Sequence, residues 1–600
     1  MKSNAILAVV VLLVALSPLL LPTYQVTLLN YIGMNALVVL GLVLLTGVGG
    51  MTSFGQAALV GIGAYTTAYL SVTEQLPTFL AWTGGGPWVG LFLGLIITIF
   101  SALVVGGLTL KLSGHYLPLG TIAWGISLYY FFSTIPTLGG HSGIANIPSI
   151  EIAGYALDTN NKMFYLIWLI LLIAMILTRN LLNSREGRAI RALKGGQIMA
   201  ESMGVNTFRS KMIVFVTSSV FASIAGWLYA HNQSFINPTP FGLQMGIDYL
   251  FMALLGGVGS IWGAVVGAGI FTMMRQWLQD VLPMIFGGEG NYETIVFGLM
   301  IVVLMQKSPA GLWSLLLKLL PARYQLKGSH LSLNPTSHTL AKPTLPAHGT
   351  EILQALDVTK AFGGLIANNQ MNLNIRAGEI LALIGPNGAG KSTMFNQLSG
   401  VDTPTSGDVI FLGQRINGIP SREIAKLGLS RTFQHVKILP EMTVLENVVI
   451  GAHLRGQRGV FASMFRLDRE EENILLNEAK QQLERVGLGE YLYTEAGALA
   501  LGQQRILEIA RALCAHPCLL LLDEPAADLR LKEKQALAEL LIKLKSEGMA
   551  ILLVEHDMDF VMNLVDRVVV MEFGQKIAEG LPHDIQNDQA VLEAYLGGAA

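Results

Sequence analysis

Charge is what this chain has least of. Only 13% of its 600 residues are charged, against 52% hydrophobic, whereas a soluble domain carries roughly 25% charged residues. That scarcity excludes a wholly soluble protein and puts part of the chain in lipid. An excess of one sign is missing too. The formal net charge of -2 provides no basic field for nucleic acid and restricts polyanion binding to a local site. Cysteine is nearly absent. Cys514 and Cys518 fall in the polar half, where a reducing cytosol leaves them as packed thiols, and no chemistry is assigned to them.

What is plentiful is apolar sequence. Runs at Ala5–Leu21, Tyr31–Gly47, Gln56–Val72, Trp88–Leu108, Tyr116–Ile135 and Met163–Leu177 approach the ~20 residues that span a bilayer. The first has Lys2 before it but no small-x-small cleavage site after it, and reads as a retained helix. A polar break follows, with Arg179, Arg185, Arg188, Arg191, Lys194, Arg209 and Lys211 against only Glu186 and Glu201. The positive-inside rule makes this loop, near 181–210, cytoplasmic. Beyond it lie Met212–Ala230, a long run from Tyr249 to Met274 interrupted by Gly256-Gly-Val-Gly-Ser260, and Tyr292–Met305. Splitting the long run at its glycines gives the even number of crossings that a cytosolic second half requires, one piece spanning or re-entrant. Residues 1–320 are therefore expected to be an all-α polytopic membrane domain of about 8 to 10 helices. Its many glycines are expected to serve close helix packing. Glu74, His115, His141, His231 and Asp248 stand at the ends of runs, which suggests interfacial positions.

Gly55-Gln-Ala-Ala, Gly61-Ile-Gly-Ala-Tyr65, Gly187-Arg-Ala-Ile-Arg-Ala192, Ala200-Glu-Ser-Met-Gly204-Val-Asn206 and Gly256-Gly-Val-Gly-Ser-Ile-Trp-Gly263 resemble the permease subunit of branched-chain amino-acid ABC importers. The resemblance implies that the basic loop is a coupling segment that docks on an ATPase. Gly204 suits a left-handed helix end there.

From Pro321 to Thr350 the apolar runs give way to Pro, Ser, Thr, His and Lys, a linker composition. Residues 351–600 then alternate strand-like and helix-like segments, as an α/β domain does. The strand-like Ile380–Ile384 leads into Gly385-Pro-Asn387-Gly388-Ala-Gly390-Lys391-Ser392-Thr393 and a helix-like stretch. Glycines here turn backbone N–H groups around a polyphosphate, Lys391 reaches the terminal phosphates, and the Ser392 hydroxyl ligates Mg2+. The apolar Leu519–Leu522 ends in Asp523-Glu524, one carboxylate for the Mg2+ shell and one to orient an attacking water. Ile551–Val554 ends in Glu555-His556-Asp557, and the His556 imidazole can meet the γ-phosphate.

This P-loop half, over Leu353–Leu596, resembles an ABC ATPase of the branched-chain amino-acid type. The resemblance implies that Phe362 stacks on adenine and that Gln434 is the loop glutamine that senses Mg2+. It implies also that Leu499, Ala500, Gly502 and Gln503 form the signature facing a partner's ATP. Two departures stand out. Ala500 occupies a position that usually carries serine, whose hydroxyl bonds the γ-phosphate, and alanine cannot do so. Asp528 and Arg530 stand where the family favours glycine and Asn or Asp.

The expected protein is a multi-pass inner (plasma) membrane importer of amino acids, branched-chain ones first, or of related small polar solutes, with its ATPase cytoplasmic. It would bind ATP and Mg2+, and work with a second permease and ATPase, identical or different, and with an extracytoplasmic solute-binding protein. An ABC exporter, and an ATP-binding regulator with one degenerate site, are the alternatives. The first conflicts with the permease-like motifs, the second with intact Glu524 and His556.

Overall fold

The computed structural model describes residues 14–73, 84–112, 116–286, 292–308, 310–319, 333, 340 and 343–596. The expected N-terminal helix lies partly outside these residues and the expected linker mostly so; Glu74 and His115 also lie outside them. The chain forms two compact units, one of residues 1–183 and 208–330, the other of residues 184–207 and 331–600.

The first unit is helical. Among the described residues four helices are long and apolar enough to cross a membrane, or up to six if each of two bent helix pairs is one span. The long glycine-interrupted run is one of those pairs: Leu243–Gly256 and Ile261–Ile285 meet at 118°. Glycine is required at this corner. Gly257 has φ +106°, and a Cβ on Gly256 would stand 1.8 Å from the Gly263 carbonyl oxygen, so only bare backbones approach this closely.

Two ionisable residues are not where the runs' ends suggested. His231 is buried, its ring nitrogens 2.8 Å from Thr67 Oγ1 and 2.7 Å from the Pro148 carbonyl. Asp248 is buried and accepts a 2.9 Å hydrogen bond from Arg275 Nη1. The end of an apolar run need not be the edge of a bundle, because later elements fold back over it. Neither group could be buried without the partners those elements supply.

The second unit is built on a six-stranded sheet in the order Leu429–Arg431, Leu519–Asp523, Ala550–Val554, Ile380–Ile384, Arg567–Glu572, Gln575–Gly580. All neighbours are parallel except the last pair. Strand Ile380–Ile384 explains its unbroken apolar sequence: Leu381 and Leu383 enter one core, and Ile380, Ala382 and Ile384 enter another. A strand covered on both faces has no use for alternation. A four-stranded antiparallel sheet, in the order Leu365–Arg376, Glu351–Phe362, Ser406–Phe411, Gln414–Arg415, packs beside it.

Residues 184–207 belong to this second unit, although in sequence they separate helix Asn160–Leu182 from helix Thr207–Gln233. The Ser184 hydroxyl caps helix Arg185–Ala192 by accepting from Gly187 N at 3.3 Å. That helix carries its basic residues into acidic and carbonyl partners. Arg188, with its side chain only 2% exposed, pairs with Glu472. Arg191 Nη1 lies 3.2 Å from Glu446, and Arg185 donates to the carbonyls of His453 and Arg458 at 2.9 and 2.7 Å. Beneath the charges, Ala189, Met199, Ala200, Met203 and Val205 share one apolar cluster with Leu439, Met442 and Ile450. The following short helix, Gln197–Ser202, ends in the expected left-handed turn: Gly204 has φ +81°, its N–H bonds Glu201 O at 2.9 Å, and Val205 N bonds Ala200 O at 3.0 Å. This double bond satisfies two end carbonyls.

A Cβ on Gly204 would also lie 2.2 Å from Leu454 Cγ. Gly204→Ala should therefore lower the melting temperature of the purified chain through both the left-handed backbone, at about 1–2 kcal/mol, and the clash. Adding Leu454→Ala should recover only part of the loss. Full recovery, or no loss in the single variant, would show that the backbone conformation is unimportant.

Candidate nucleotide site

The phosphate turn sits between strand Ile380–Ile384 and helix Lys391–Leu398. Gly388 and Gly390 have φ +83° and +97°, a region in which side chains with a Cβ are strained. A Cβ on Gly388 would meet nothing, whereas one on Gly390 would stand 2.4 Å from the Ala367 carbonyl. The first glycine is thus needed for backbone shape alone and the second also for close packing. Asn387 and Ser392 are exposed at this turn and Thr393 is half-buried. The first N–H groups of a helix lack a carbonyl one turn earlier, so this turn presents donors suited to an anion. Lys391 lies along it, Nζ donating to the carbonyls of Gly385 at 2.7 Å and Pro386 at 2.9 Å. Burial pushes its pKa down, while Glu524 and Asp523 pull it back up.

Asp523 ends its strand in a buried position, and burial raises its carboxyl above the usual range. The Arg431 guanidinium, 3.7 Å away, opposes that shift. Arg431 is itself fixed by Asn396 Oδ1 at 2.7 Å and Ser399 Oγ at 2.9 Å.

Three expected residues converge. Glu524 Oε1 accepts from Gln434 Nε2 at 3.0 Å and lies 3.2 Å from His556 Nε2. Glu524 Oε2 has no hydrogen-bond partner among the described residues, which leaves an acceptor for water. Its backbone is in the left-handed region at φ +49°, a conformation that is costly for glutamate and is retained where the surroundings impose it. The imposing contact is its N–H, which donates to the Val554 carbonyl at 2.8 Å. Phe362 is exposed at the end of its strand, with Lys360 Nζ 4.9 Å from the ring centroid, so its ring face is not committed to the core.

The other expected residues stand apart from these. Leu499 and Gly502 are buried and Ala500 exposed around the start of helix Leu501–Leu513. No hydrogen bond among the described residues joins Leu499, Ala500, Gly502 or Gln503 to the phosphate turn. Ala500 is the N-cap, with φ -62° and ψ 152°. Only half of a capping box forms, the Ala500 N–H donating to Gln503 Oε1 at 3.1 Å.

Sequence reasoning missed Arg505 and Glu555. Arg505 Nη1 donates to the carbonyls of Gln434 and Glu524, both at 3.2 Å, and Nη2 to Asp528 at 3.3 Å. Asp528, at φ +62°, holds a left-handed backbone that favours glycine and supplies a carboxylate to Arg505. Buried Glu555 receives the N–H groups of Ala526 at 2.6 Å and His556 at 2.9 Å. A basic residue right after the signature was a readable signal for the first; nothing local marks the second.

Comparison with known proteins accounts for this geometry. Residues 24–305 match the branched-chain amino acid transport system permease component, residues 368–527 the ABC transporter family, and residues 575–600 the branched-chain amino acid ATP-binding cassette transporter family. The ATP-binding protein LivG of Escherichia coli K12, named for high-affinity branched-chain amino acid transport, is 44% identical over 241 residues, 40% of this chain and 94% of its own length. The chain belongs to the branched-chain amino-acid ABC transporter family. Within that family, the corresponding Pseudomonas aeruginosa protein BraF is 43% identical, covering 41% of this chain and 98% of BraF. The crystal structure of a nucleotide-free ATP-binding cassette from an ABC transporter is 32% identical, with TM-score 0.37, and covers 41% of this chain and 99% of that one. This chain therefore carries a transporter's permease region and its ATP-hydrolysing domain in one polypeptide.

Ala500 already has the backbone of a capping residue. Ala500→Ser should stabilise the second unit by about 1 kcal/mol, read as a higher melting temperature, and should raise ATP hydrolysis if the missing hydroxyl limits the site its signature faces. An unchanged rate with the higher melting temperature would mean that site tolerates alanine.

Proposed function

We propose that this chain is half of an ATP-driven importer that moves branched-chain amino acids, or related small polar solutes, across the inner membrane into the cytoplasm. The observation that carries this reading is the inclusion of residues 184–207 in the ATPase unit. A segment flanked by two apolar helices is clamped there by Arg188–Glu472 and Arg191–Glu446. A buried pair of this kind is costly to break from one side, at about 3–5 kcal/mol. The segment should move with the ATPase domain and pull on the helices that flank it in sequence.

The remaining parts follow from the site. Residues 1–320 form the membrane domain, with 184–207 as its loop into the ATPase unit, 321–350 the linker and 351–600 the cytoplasmic ATPase. Lys391 and the N–H groups around Gly385, Asn387, Gly388, Gly390 and Thr393 bind the phosphates, and Phe362 offers a face to adenine. Ser392, Gln434 and Asp523 would hold Mg2+, which when bound offsets phosphate charge. The donors fit a hard cation: Ser392 is exposed at the turn, Gln434 gives its amide nitrogen to Glu524 and keeps its carbonyl oxygen, and Asp523 brings a carboxylate, while Mg2+ commonly takes one or two carboxylates with phosphate oxygens. Glu524 orients water through its open oxygen, and His556 donates to charge developing on the γ-phosphate. The signature at Leu499, Ala500, Gly502 and Gln503 serves the ATP of a second ATPase. With Ala500 there, that reciprocal site is the slower of the two when the second ATPase carries an intact signature. Solute arrives from an extracytoplasmic binding protein.

Glu524→Gln tests the assignment. ATP binding should persist while hydrolysis falls by two orders of magnitude or more, and uptake should stop with it. Hydrolysis at the wild-type rate in purified protein would remove Glu524 from the chemistry.

A further inference from the structure

The membrane unit contains a cavity of about 220 Å³ where five helices converge, Val60 coming from helix Gln56–Val72. Tyr31 and Asn35 come from helix Thr23–Leu42, Tyr229 from Thr207–Gln233, Tyr249 from Leu243–Gly256, and Thr272 and Arg275 from Ile261–Phe286. Drug-sized pockets begin at roughly 300 Å³, so the occupant of this one is a small solute. Its apolar wall includes Met34, Phe241, Met245, Met252 and Phe271, and methionines adapt to side chains of differing shape.

The polar groups are specific. Arg275 makes one hydrogen bond among the described residues, Nη1 to Asp248 Oδ2 at 2.9 Å, and its side chain is 39% exposed. A guanidinium has five N–H donors, so most of the fork remains available. Asp248 is fixed from its other oxygen by Gln244 Nε2 at 3.3 Å. Asn35 Nδ2 donates to Thr272 Oγ1 at 3.3 Å, which leaves the Asn35 carbonyl oxygen as an acceptor. The Tyr229 and Tyr249 hydroxyls make no hydrogen bond among the described residues. An ionisable pair among apolar helices is expensive and reads by default as functional.

We propose that this cavity is a binding site on the transport path for one zwitterionic α-amino acid with an aliphatic side chain. Arg275 takes the carboxylate through its fork, Asn35 and the tyrosines take the ammonium, and the methionine and phenylalanine wall takes the side chain. The lining argues for a ligand that carries both charges: Arg275 supplies donors for a carboxylate, while Asp248, with buried Glu293 near enough to act on it, favours an ammonium close by. The planar fork matches a carboxylate in two parallel bonds, as an ammonium does not. This proposal rests on the importer reading of the membrane unit.

The test is binding of labelled leucine to the full chain, assembled with its partners in lipid nanodiscs and without any binding protein. Leucine should bind, while leucinamide, which lacks the carboxylate, and 4-methylpentanoate, which lacks the ammonium, should not compete. Arg275→Lys keeps the charge but loses the fork and should weaken binding about tenfold or more. The paired variant Asp248→Asn with Arg275→Gln leaves the net charge of the site unchanged, size-exclusion elution checks that it is folded, and it should lose binding. Equal leucine affinity in either variant, or competition by leucinamide, overturns the site. Absence of leucine binding to the wild type overturns it as well. If the same wild-type assembly then takes up amino acid when a binding protein is supplied, the importer reading stands alone; if it does not, both fall.

Discussion

Arg188 is a buried cation whose counter-charge, Glu472, lies 284 residues further along the chain. Much else depends on that pairing. The helix that carries Arg188 is short and polar for its surroundings, and by itself would have no reason to leave water. Its burial is offset by Glu472, by the Arg191–Glu446 pair and by the apolar cluster beneath. A segment placed by sequence among membrane helices is thus held in the ATPase unit by interactions that are strong only when all are present together.

The same region leads back to the chemistry. Phe433 packs against the cluster formed with residues 189–205, and its neighbour Gln434 donates to Glu524. Five residues later Leu439 sits inside that cluster, with its N–H bonded to buried Asn447 Oδ1 at 2.9 Å. Arg505, on helix Leu501–Leu513, holds the carbonyls of both Gln434 and Glu524. One short loop is therefore in contact with Glu524 at one end and with the clamped segment at the other. A rearrangement at Glu524 can bias the segment through packing alone, provided that the loop has two discrete arrangements.

Much of this was legible in the sequence, for identifiable reasons. The phosphate turn is local: the glycines, Lys391 and Ser392 are contiguous, and the chemistry admits few other residues. Asp523, Glu524 and His556 were legible because each follows an apolar strand of the parallel sheet, at the ends where such folds place ligands. Gly204 was readable as a helix end. The partners were not readable. Nothing in the spacing of Arg188 and Glu472, or of Asp248 and Arg275, reveals that they meet, because side-chain pairing across elements is set by tertiary packing. Asp248 was assigned to an interface for that reason, and Glu555 was passed over because its role is to receive backbone N–H groups from a neighbouring turn. The left-handed backbone of Glu524 was likewise invisible, being imposed by a bond to the Val554 carbonyl in the adjacent strand.

The central claim is that the clamp at residues 184–207 carries the effect of ATP hydrolysis to the membrane helices. The direct test is the number of solute molecules taken up per ATP hydrolysed, measured in the same proteoliposomes for the wild type and for Arg188→Met paired with Glu472→Leu. That pair removes the ionic contact without leaving a buried charge unmatched. The account predicts that ATP hydrolysis continues while uptake per ATP collapses. An unchanged ratio in the folded double variant would contradict it.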